Sequence, residues 1–324
     1  MSINPVVSNE EELHVIFRAD IEAAAARIDG HIHTTPVMRT RALFDGRDIE
    51  IKLENTQMTG SFKVRGAFNT LLSCDVPDAG VVAASGGNHG AAVAYAARAL
   101  GHPATIFVPE LAGASKIALI RSTGADLHVV AGQYADALAA AQAFEADTGA
   151  MQIHAYDAPA TVAGQGTLMR EWQEQGFEAD TVLIAVGGGG LLAGQLAWLR
   201  DQPRPQTRVV AVEPENCPTL WVTTDGGGPQ DVEVSGIAAN ALGARRLGQI
   251  CHDLVVETGP IAITVSDEAI LEAQRQLWEA LRQWVEPAGA TALAALISGE
   301  YEPAPDERLA VLICGANPAP GPFD

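Results

Sequence analysis

Residues 182–191 read Val-Leu-Ile-Ala-Val-Gly-Gly-Gly-Gly-Leu, a buried-strand pattern that runs into a glycine turn and then into an alanine- and leucine-rich helical segment. A second stretch has the same order, because Val81 to Ala84 precedes Ser85-Gly86-Gly87-Asn88-His89-Gly90 and another helical segment. Short apolar strands that alternate with helices are typical of parallel sheets covered by helices on both faces. The pattern therefore predicts an α/β fold with doubly wound parallel sheets.

Other apolar runs continue this alternation along the chain. They are Ile49 to Leu53, Ala104 to Val108, Asp126 to Val130, Arg208 to Val212 and Leu309 to Ile313. A chain of 324 residues is long enough for two domains that each bury a core. We expect residues 79–156 to form a small domain inserted into a large discontinuous domain of residues 1–78 and 157–324, with the functional site in the cleft between them.

Composition limits the partners and the compartment. The 40 acidic and 20 basic residues give a net charge of -20, which disfavours binding to nucleic acid or to an anionic membrane. Cys74, Cys217, Cys251 and Cys314 lack the spacing of a metal site or a disulfide framework. Met1 to Asn9 has no pattern of a secretory or transit signal. We therefore expect a cytoplasmic protein with reduced thiols and a small-molecule substrate.

The glycine run Gly187, Gly188, Gly189 and Gly190, followed by Leu191, directs several backbone N–H groups and a helix amino terminus at one point. This arrangement favours binding of a phosphate group. The alternative is close packing of the strand against the helix, which would explain one or two glycines but not four. The same residues satisfy a dinucleotide fingerprint with Ala193, and Glu213 ends the next strand where a ribose-binding acid is expected. A nicotinamide-dependent oxidoreductase therefore remains open at this point.

The segment Gly60-Ser61-Phe62-Lys63-Val64-Arg65-Gly66 predicts a helix with Ser61 as its N-cap and Lys63 in its first turn. The partial positive charge of the helix amino terminus and the nearby Arg65 are both expected to lower the pKa of Lys63. A neutral lysine amine can attack a carbonyl group. The competing interpretation is an ordinary solvated lysine.

The turn from Ser85 to Gly90 is suited to a carboxylate, which the backbone N–H groups and the Ser85 hydroxyl would bind. The Asn88 amide is placed to bind a phenolic oxygen of a cofactor, although a simple turn residue is the alternative. For His89 a packing role is favoured over acid–base catalysis. A binding module for an amino acid, without catalysis, explains a cleft but gives no reason for Lys63.

Four motifs together resemble the pyridoxal-phosphate enzymes of the tryptophan synthase β-subunit fold, especially the serine/threonine dehydratase and serine racemase branch. They are the Lys63 segment, the turn from Ser85 to Gly90, the run from Gly187 to Leu191 and the turn Cys314-Gly315-Ala316-Asn317, which we call the Cys314 turn. The resemblance covers nearly the whole chain, and the motifs occur in the order of the family. By this resemblance the cofactor-binding residues are Phe62, Lys63, Asn88, Gly187, Gly188, Gly189, Gly190, Leu191 and Cys314, with Cys314 against the pyridine nitrogen. The substrate-binding residues are Ser85, Gly86, Gly87, Asn88 and His89.

The resemblance implies a homodimer with pyridoxal 5'-phosphate bound as a Schiff base to Lys63, which also acts as the general base. It implies deamination of L-threonine or L-serine to a 2-oxo acid and ammonia by β-elimination. Other 3-hydroxy amino acids remain open, whereas serine racemisation is disfavoured because Gly86 stands where related racemases have a serine.

The resemblance leaves alternatives open for two acidic residues. Some relatives bind a divalent cation at a position that Glu213 matches, but Thr219 stands where a second acid is expected. A metal is therefore not expected here, and Glu213 is then a solvated loop carboxylate. Glu286 lies in a family turn near the cofactor, where it either supports the site or caps a helix.

Overall fold

In the computed structural model of the protein, the described residues are 15–132, 134–202 and 207–317. The stretch Met1 to Asn9 and both ends of the predicted large domain lie outside these ranges. The strands are β1 Val37–Thr40, β2 Ile49–Leu53, β3 Val81–Ala84, β4 Ala104–Pro109, β5 Asp126–Val130, β6 Met151–Gln152, β7 Thr181–Ala185, β8 Arg208–Pro214, β9 Ile261–Val265 and β10 Leu309–Ile313.

The helices cover both faces of the sheets. They are α1 Arg18–Ile28, α2 Lys63–Leu72, α3 Asn88–Ala99, α4 Ala114–Ser122, α5 Tyr134–Thr148, α6 Pro159–Glu174, α7 Gly190–Leu199, α8 Thr219–Gly226, α9 Ala239–Leu242, α10 Gln249–Thr258, α11 Asp267–Leu281 and α12 Pro287–Ile297. Three short 3₁₀ helices occur at Glu54–Thr56, Met58–Gly60 and Glu110–Ala112.

The strands form two sheets. The larger sheet has the order β1-β2-β10-β7-β8-β9, and the smaller sheet has the order β5-β4-β3-β6. Every neighbouring pair is parallel except β1 with β2, which is antiparallel. The predicted α/β class with two parallel sheets is confirmed. The strands β1, β6 and β9 are not among the predicted runs. The connection from β1 to β2 is too short for the crossover that a parallel pair requires.

The topology brings the predicted motifs to one edge. β10 lies at the middle of the large sheet, because Leu309 pairs with Ile49 on one side and with Thr181 on the other. The carboxyl ends of β2, β10 and β7 therefore open at the same edge, where binding sites of open α/β sheets occur. These ends lead into the Lys63 segment, the Cys314 turn and the tetraglycine loop, which we define as Gly187 to Gly190.

Two apolar stretches of the sequence are about as long as a membrane span, and burial in the core accounts for their apolar character. Residues 79–97 and 181–199 each divide into a buried strand, a glycine turn and a helix, and every residue of α7 is buried. None of the described helices is both long enough and apolar enough to cross a membrane.

Helix α2 joins the two sheets. Its apolar face, which contains Val64, Ala67, Phe68 and Leu71, packs in one core cluster with small-sheet residues such as Ile106. The same helix also packs against α6 of the large sheet. Lys63 therefore lies between the two sheets, while the boundaries 1–78, 79–156 and 157–324 remain predictions.

Candidate active site

The Lys63 segment and the Cys314 turn are directly hydrogen-bonded. The Phe62 N–H donates to the Cys314 carbonyl at 3.3 Å, and the Ala316 N–H donates to the Gly60 carbonyl at 2.8 Å. Ser61 forms an antiparallel bridge with Gly315 between these bonds. Because β2 and β10 are neighbours in the sheet, two motifs far apart in sequence meet at one site.

The backbone before Lys63 is strained. Thr59 has φ +59 and Gly60 has φ +74, so a threonine occupies the left-handed region that usually favours glycine. The Asn317 side-chain amide donates to the Thr59 carbonyl at 2.7 Å and holds this conformation. Strain of this kind, at a cost of roughly 1–3 kcal/mol, is concentrated at functional sites.

Lys63 is the first residue of α2, and its side chain is largely buried. Its Nζ donates to the Ala155 carbonyl at 2.7 Å. Burial lowers the pKa of Lys63 to about 8, against a smaller opposite influence of Cys314. The interpretation as a solvated lysine is therefore wrong. The prediction of Ser61 as N-cap is also wrong, because Phe62 occupies that position and the buried Ser61 hydroxyl has no hydrogen-bond partner among the described residues.

Arg65 has a different role from the one predicted. Its guanidinium is buried and points away from Lys63, toward Glu54 at 2.7 Å and Glu171 at 2.8 Å. Lys52 completes this cluster with a 2.6 Å contact to Glu171. Because two carboxylates compensate its charge, Arg65 does not lower the pKa of Lys63. Instead it connects the start of α2 to α6.

Cys314 is buried at the end of β10, and its thiol donates to the Ala288 carbonyl at 3.3 Å. Burial raises the pKa of the Cys314 thiol far above its usual range, and the nearby Glu286 acts in the same direction. The thiol is therefore held neutral. The bond from the Phe62 N–H to the Cys314 carbonyl places Lys63 and Cys314 in one site.

Asn88 begins α3 and takes part in a buried polar chain. Its side-chain amide donates to Glu286, and its side-chain oxygen accepts from the Asn317 amide at 2.8 Å. Glu286 precedes α12 but its side chain does not cap that helix, so the supporting role of Glu286 is the one seen. Burial raises the pKa of Glu286 to about 7, while Lys116 acts to lower it. Sequence reasoning overlooked Lys116, since a lysine on a helix is usually exposed.

The residues of the Ser85 to Gly90 turn connect β3 to α3 and include the first turn of α3. The N–H groups of Asn88, His89 and Gly90 have no acceptor in the described ranges, as expected for the first turn of a helix. The Ser85 hydroxyl accepts from the Gly87 N–H at 3.3 Å. His89 Nε2 lies 2.8 Å from the Ile153 carbonyl, and burial together with the charge of Lys63 lowers the His89 pKa to about 3. His89 is therefore neutral and donates to Ile153.

The tetraglycine loop begins after β7, and Gly189 has φ +90. A Cβ on any of its four residues would lie within 2.8 Å of a neighbour: Leu242 for Gly187, Tyr156 for Gly188 and Gly190, and Cys251 for Gly189. Packing therefore accounts for all four glycines, and the expectation that it explains only one or two was wrong. The N–H groups from Gly188 to Leu191 have no acceptor in the described part of the chain. An anion remains the predicted guest.

Glu213 is 1% exposed, so the prediction of a solvated loop carboxylate was wrong. Its two oxygens accept from the N–H groups of Leu220 and Trp221 at the start of α8, and one also contacts the Thr219 hydroxyl. Burial raises the pKa of Glu213 to about 7. These protein donors occupy the carboxyl group, so it fits neither a ribose hydroxyl nor a cation. No group of three metal-ligating side chains occurs among the described residues.

The residues brought together fit pyridoxal phosphate. The N–H groups from Gly188 to Leu191 offer donors for a phosphate, the desolvated Lys63 amine lies near the Cys314 thiol, and Asn88 supplies an amide. The buried Ser61 hydroxyl, without a partner in the described structure, adds an available polar group.

Comparison with known proteins supports this fit. Phenylserine dehydratase of Ralstonia pickettii is 36% identical over 92% of this chain and 93% of its own length. L-threonine ammonia-lyase of Thermotoga maritima is 33% identical over 92% of this chain and 75% of its own length. The structure of maize serine racemase superposes with a TM-score of 0.87 at 32% identity, covering 94% of each chain. The family model described as pyridoxal-phosphate dependent enzyme matches residues 28–315. The chain therefore belongs to the family of pyridoxal-phosphate-dependent enzymes.

Proposed function

We propose that this protein is an ammonia-lyase that converts a hydroxy amino acid, L-threonine or L-serine, to a 2-oxo acid and ammonia by β-elimination. The observation that carries the proposal is the hydrogen-bonded junction of the Lys63 segment with the Cys314 turn, at which burial lowers the pKa of Lys63 to about 8. The names of the dehydratase and ammonia-lyase relatives point to the same reaction class. Glu213 is capped by protein donors, which argues against the nicotinamide alternative.

When bound, pyridoxal phosphate withdraws electrons from the Cα of an amino acid and so weakens its Cα–H bond. Phe62, Lys63, Asn88, Cys314 and the loop from Gly187 to Leu191 would hold the cofactor. Lys63 Nζ, which burial makes easier to deprotonate, would take the Cα proton as the general base. The Cys314 thiol brings no negative charge to the pyridine nitrogen, which favours loss of a β-leaving group over a long-lived carbanion.

The first turn of α3 supports binding of the substrate carboxylate. Its N–H groups at Asn88, His89 and Gly90 lack acceptors in the described chain, and the helix dipole favours an anion there. Ser85 and the glycines Gly86 and Gly87 would complete this contact. Serine, threonine and bulkier 3-hydroxy amino acids are all candidate substrates, so a substrate panel that includes phenylserine is the direct assay.

A serine racemase is the alternative within the family, and the packing at Gly86 argues against it. A Cβ on Gly86 would lie 2.5 Å from the Ala112 Cβ, so a serine does not fit there without movement of the backbone. The neighbouring Ser85 hydroxyl is engaged by the Gly87 N–H. We expect incubation with L-serine to yield pyruvate without D-serine, as measured by chiral chromatography.

The chain contains three lysines, Lys52, Lys63 and Lys116, which makes the attachment test sharp. After borohydride reduction and digestion, mass spectrometry should find the cofactor on the Lys63 peptide alone. Lys63→Ala should abolish 2-oxo acid release. Attachment to either other lysine, or undiminished 2-oxo acid release by the variant, contradicts the proposal.

We also propose a cytoplasmic homodimer, as the family resemblance implies. An exposed apolar patch of Leu271, Trp278 and Trp284 is consistent with a subunit contact, and the two tryptophan rings lie 5.7 Å apart in an edge-to-face arrangement. Light scattering should give twice the chain mass of 33.9 kDa, and a mass near 33.9 kDa would contradict the dimer.

A further inference from the structure

Thr219 connects the tetraglycine loop to the helix that follows the next strand. Its side chain is buried at the first position of α8. Its hydroxyl lies 2.6 Å from the Gly187 carbonyl oxygen and 2.9 Å from Glu213 Oε1. One side chain thus contacts both the first glycine of the loop and the acid at the end of β8.

Glu213 holds Thr219 in place. Glu213 Oε1 accepts from the Leu220 N–H at 2.7 Å, and Oε2 accepts from the Trp221 N–H at 2.9 Å. The carboxyl group therefore satisfies two N–H groups of the first turn of α8, which otherwise lack partners. Because both bonds lie next to Thr219, they determine where the Thr219 hydroxyl can point.

The contact with Gly187 controls the direction of a peptide group. In a trans peptide the carbonyl of one residue and the N–H of the next point in opposite directions. The Gly187 carbonyl points to Thr219, so the Gly188 N–H points to the opposite side. The Gly188 carbonyl accepts from the Gly248 N–H at 3.1 Å. By the same geometry, this bond directs the Gly189 N–H to the side opposite Gly248.

The two N–H groups that result have no acceptor in the described structure, as reported above. Glycine peptides rotate more freely than others, because no Cβ restricts them. A loop of four glycines therefore needs external bonds to keep its N–H groups in one orientation, and oriented N–H groups bind an anion without a reorganisation cost.

We propose that Thr219, held by Glu213, is a positioning residue that turns the Gly187–Gly188 peptide so that its N–H faces the cofactor phosphate. This inference rests on the proposed role of the tetraglycine loop as the phosphate-binding loop. Thr219 is a positioning residue because it acts on the backbone and not on the cofactor.

The test compares Thr219→Val, which removes the hydroxyl at nearly constant volume, with Thr219→Ser, which keeps it. Affinities of the cofactor-free proteins are measured by fluorescence titration with pyridoxal phosphate and with pyridoxal, which lacks the phosphate. Thr219→Val should weaken pyridoxal phosphate binding about tenfold, the effect of one hydrogen bond, and Thr219→Ser less than about threefold. Pyridoxal binding should be equal in all three proteins. The rise in melting temperature on adding inorganic phosphate should be smaller for Thr219→Val alone.

The outcomes distinguish the phosphate-binding role of the tetraglycine loop from the positioning role of Thr219. If wild type binds pyridoxal as tightly as pyridoxal phosphate, the loop does not bind phosphate and its proposed role is refuted. If wild type requires the phosphate but Thr219→Val binds as wild type does, only the positioning role is overturned. Equal weakening for both ligands also overturns it, because that result indicates a general structural defect. Thr219→Ala replaces Thr219→Val if the latter does not fold.

Discussion

Replacing Lys63 with methionine should make the cofactor-free protein more stable at pH 7, although by the proposed role of Lys63 it should abolish catalysis. Burial lowers the pKa of Lys63 from 10.5 to about 8, which means that the folded protein holds the ammonium form less well than the unfolded chain does. Methionine has a similar length and no charge. The substitution therefore removes the free-energy cost of burying the Lys63 ammonium group in the folded protein.

The magnitude follows from this shift in pKa. At about 1.4 kcal/mol for each pKa unit, holding the charge at pH 7 costs roughly 3 kcal/mol. Loss of the hydrogen bond from Lys63 to Ala155 offsets about 1 kcal/mol, which leaves a net gain of about 2 kcal/mol. The partial exposure of Lys63 makes these values upper bounds.

The pH dependence gives a sharper signature. Between pH 8 and 10.5 the unfolded chain binds more protons at Lys63 than the folded protein does, so wild-type stability rises with pH in this window. The advantage of Lys63→Met over wild type should therefore fall by about 2.5 kcal/mol between about pH 7 and about pH 10. Packing effects of the methionine cancel in this difference.

Urea unfolding of the cofactor-free proteins, followed by tryptophan fluorescence at pH 7 and at pH 10, measures both quantities. Lys63→Arg is the matched control, because it keeps a cation at both pH values and should show no stabilisation at pH 7. A Lys63→Met protein that is less stable than wild type by the same amount at both pH values would show that the ammonium group of Lys63 carries no burial cost.

Three further results are expected. Gly188→Ala should weaken pyridoxal phosphate binding at least tenfold in a fluorescence titration, because its Cβ would overlap the neighbouring tyrosine ring; unchanged affinity would contradict the packing of the loop. Arg65→Met should lower the free energy of unfolding in urea by about 3–5 kcal/mol, because Glu54 is left buried without its partner, and a loss below about 1 kcal/mol would contradict this. Wild-type stability should fall as the pH rises from 4.5 through about 7, because the folded-state pKa of Glu286 is raised, and Glu286→Gln should make this fall smaller. An unchanged profile of melting temperature against pH would contradict the raised pKa of Glu286.

Part of the site depends on side-chain orientations and long-range contacts that form only when the chain folds. Arg65 follows Lys63 closely in sequence, yet its guanidinium pairs with Glu171, which is 106 residues away. The orientation of a side chain near a helix start depends on what packs against that helix, so sequence reasoning assigned Arg65 the wrong effect. Lys116 was overlooked for the same reason, because its burial results from the packing of α4 against α3 and β5.

The α/β class and most strand positions could be read from the sequence, because hydrophobic period and turn composition are local properties. The roles of the Lys63, Asn88, glycine and Cys314 motifs came from the family resemblance and stay predictions. Folding was needed to show the antiparallel pairing of β1, the bonds between the Lys63 segment and the Cys314 turn, and the contact of Thr219 with Gly187. These features depend on sheet order and on packing between distant segments, and no local pattern in the chain encodes either of them.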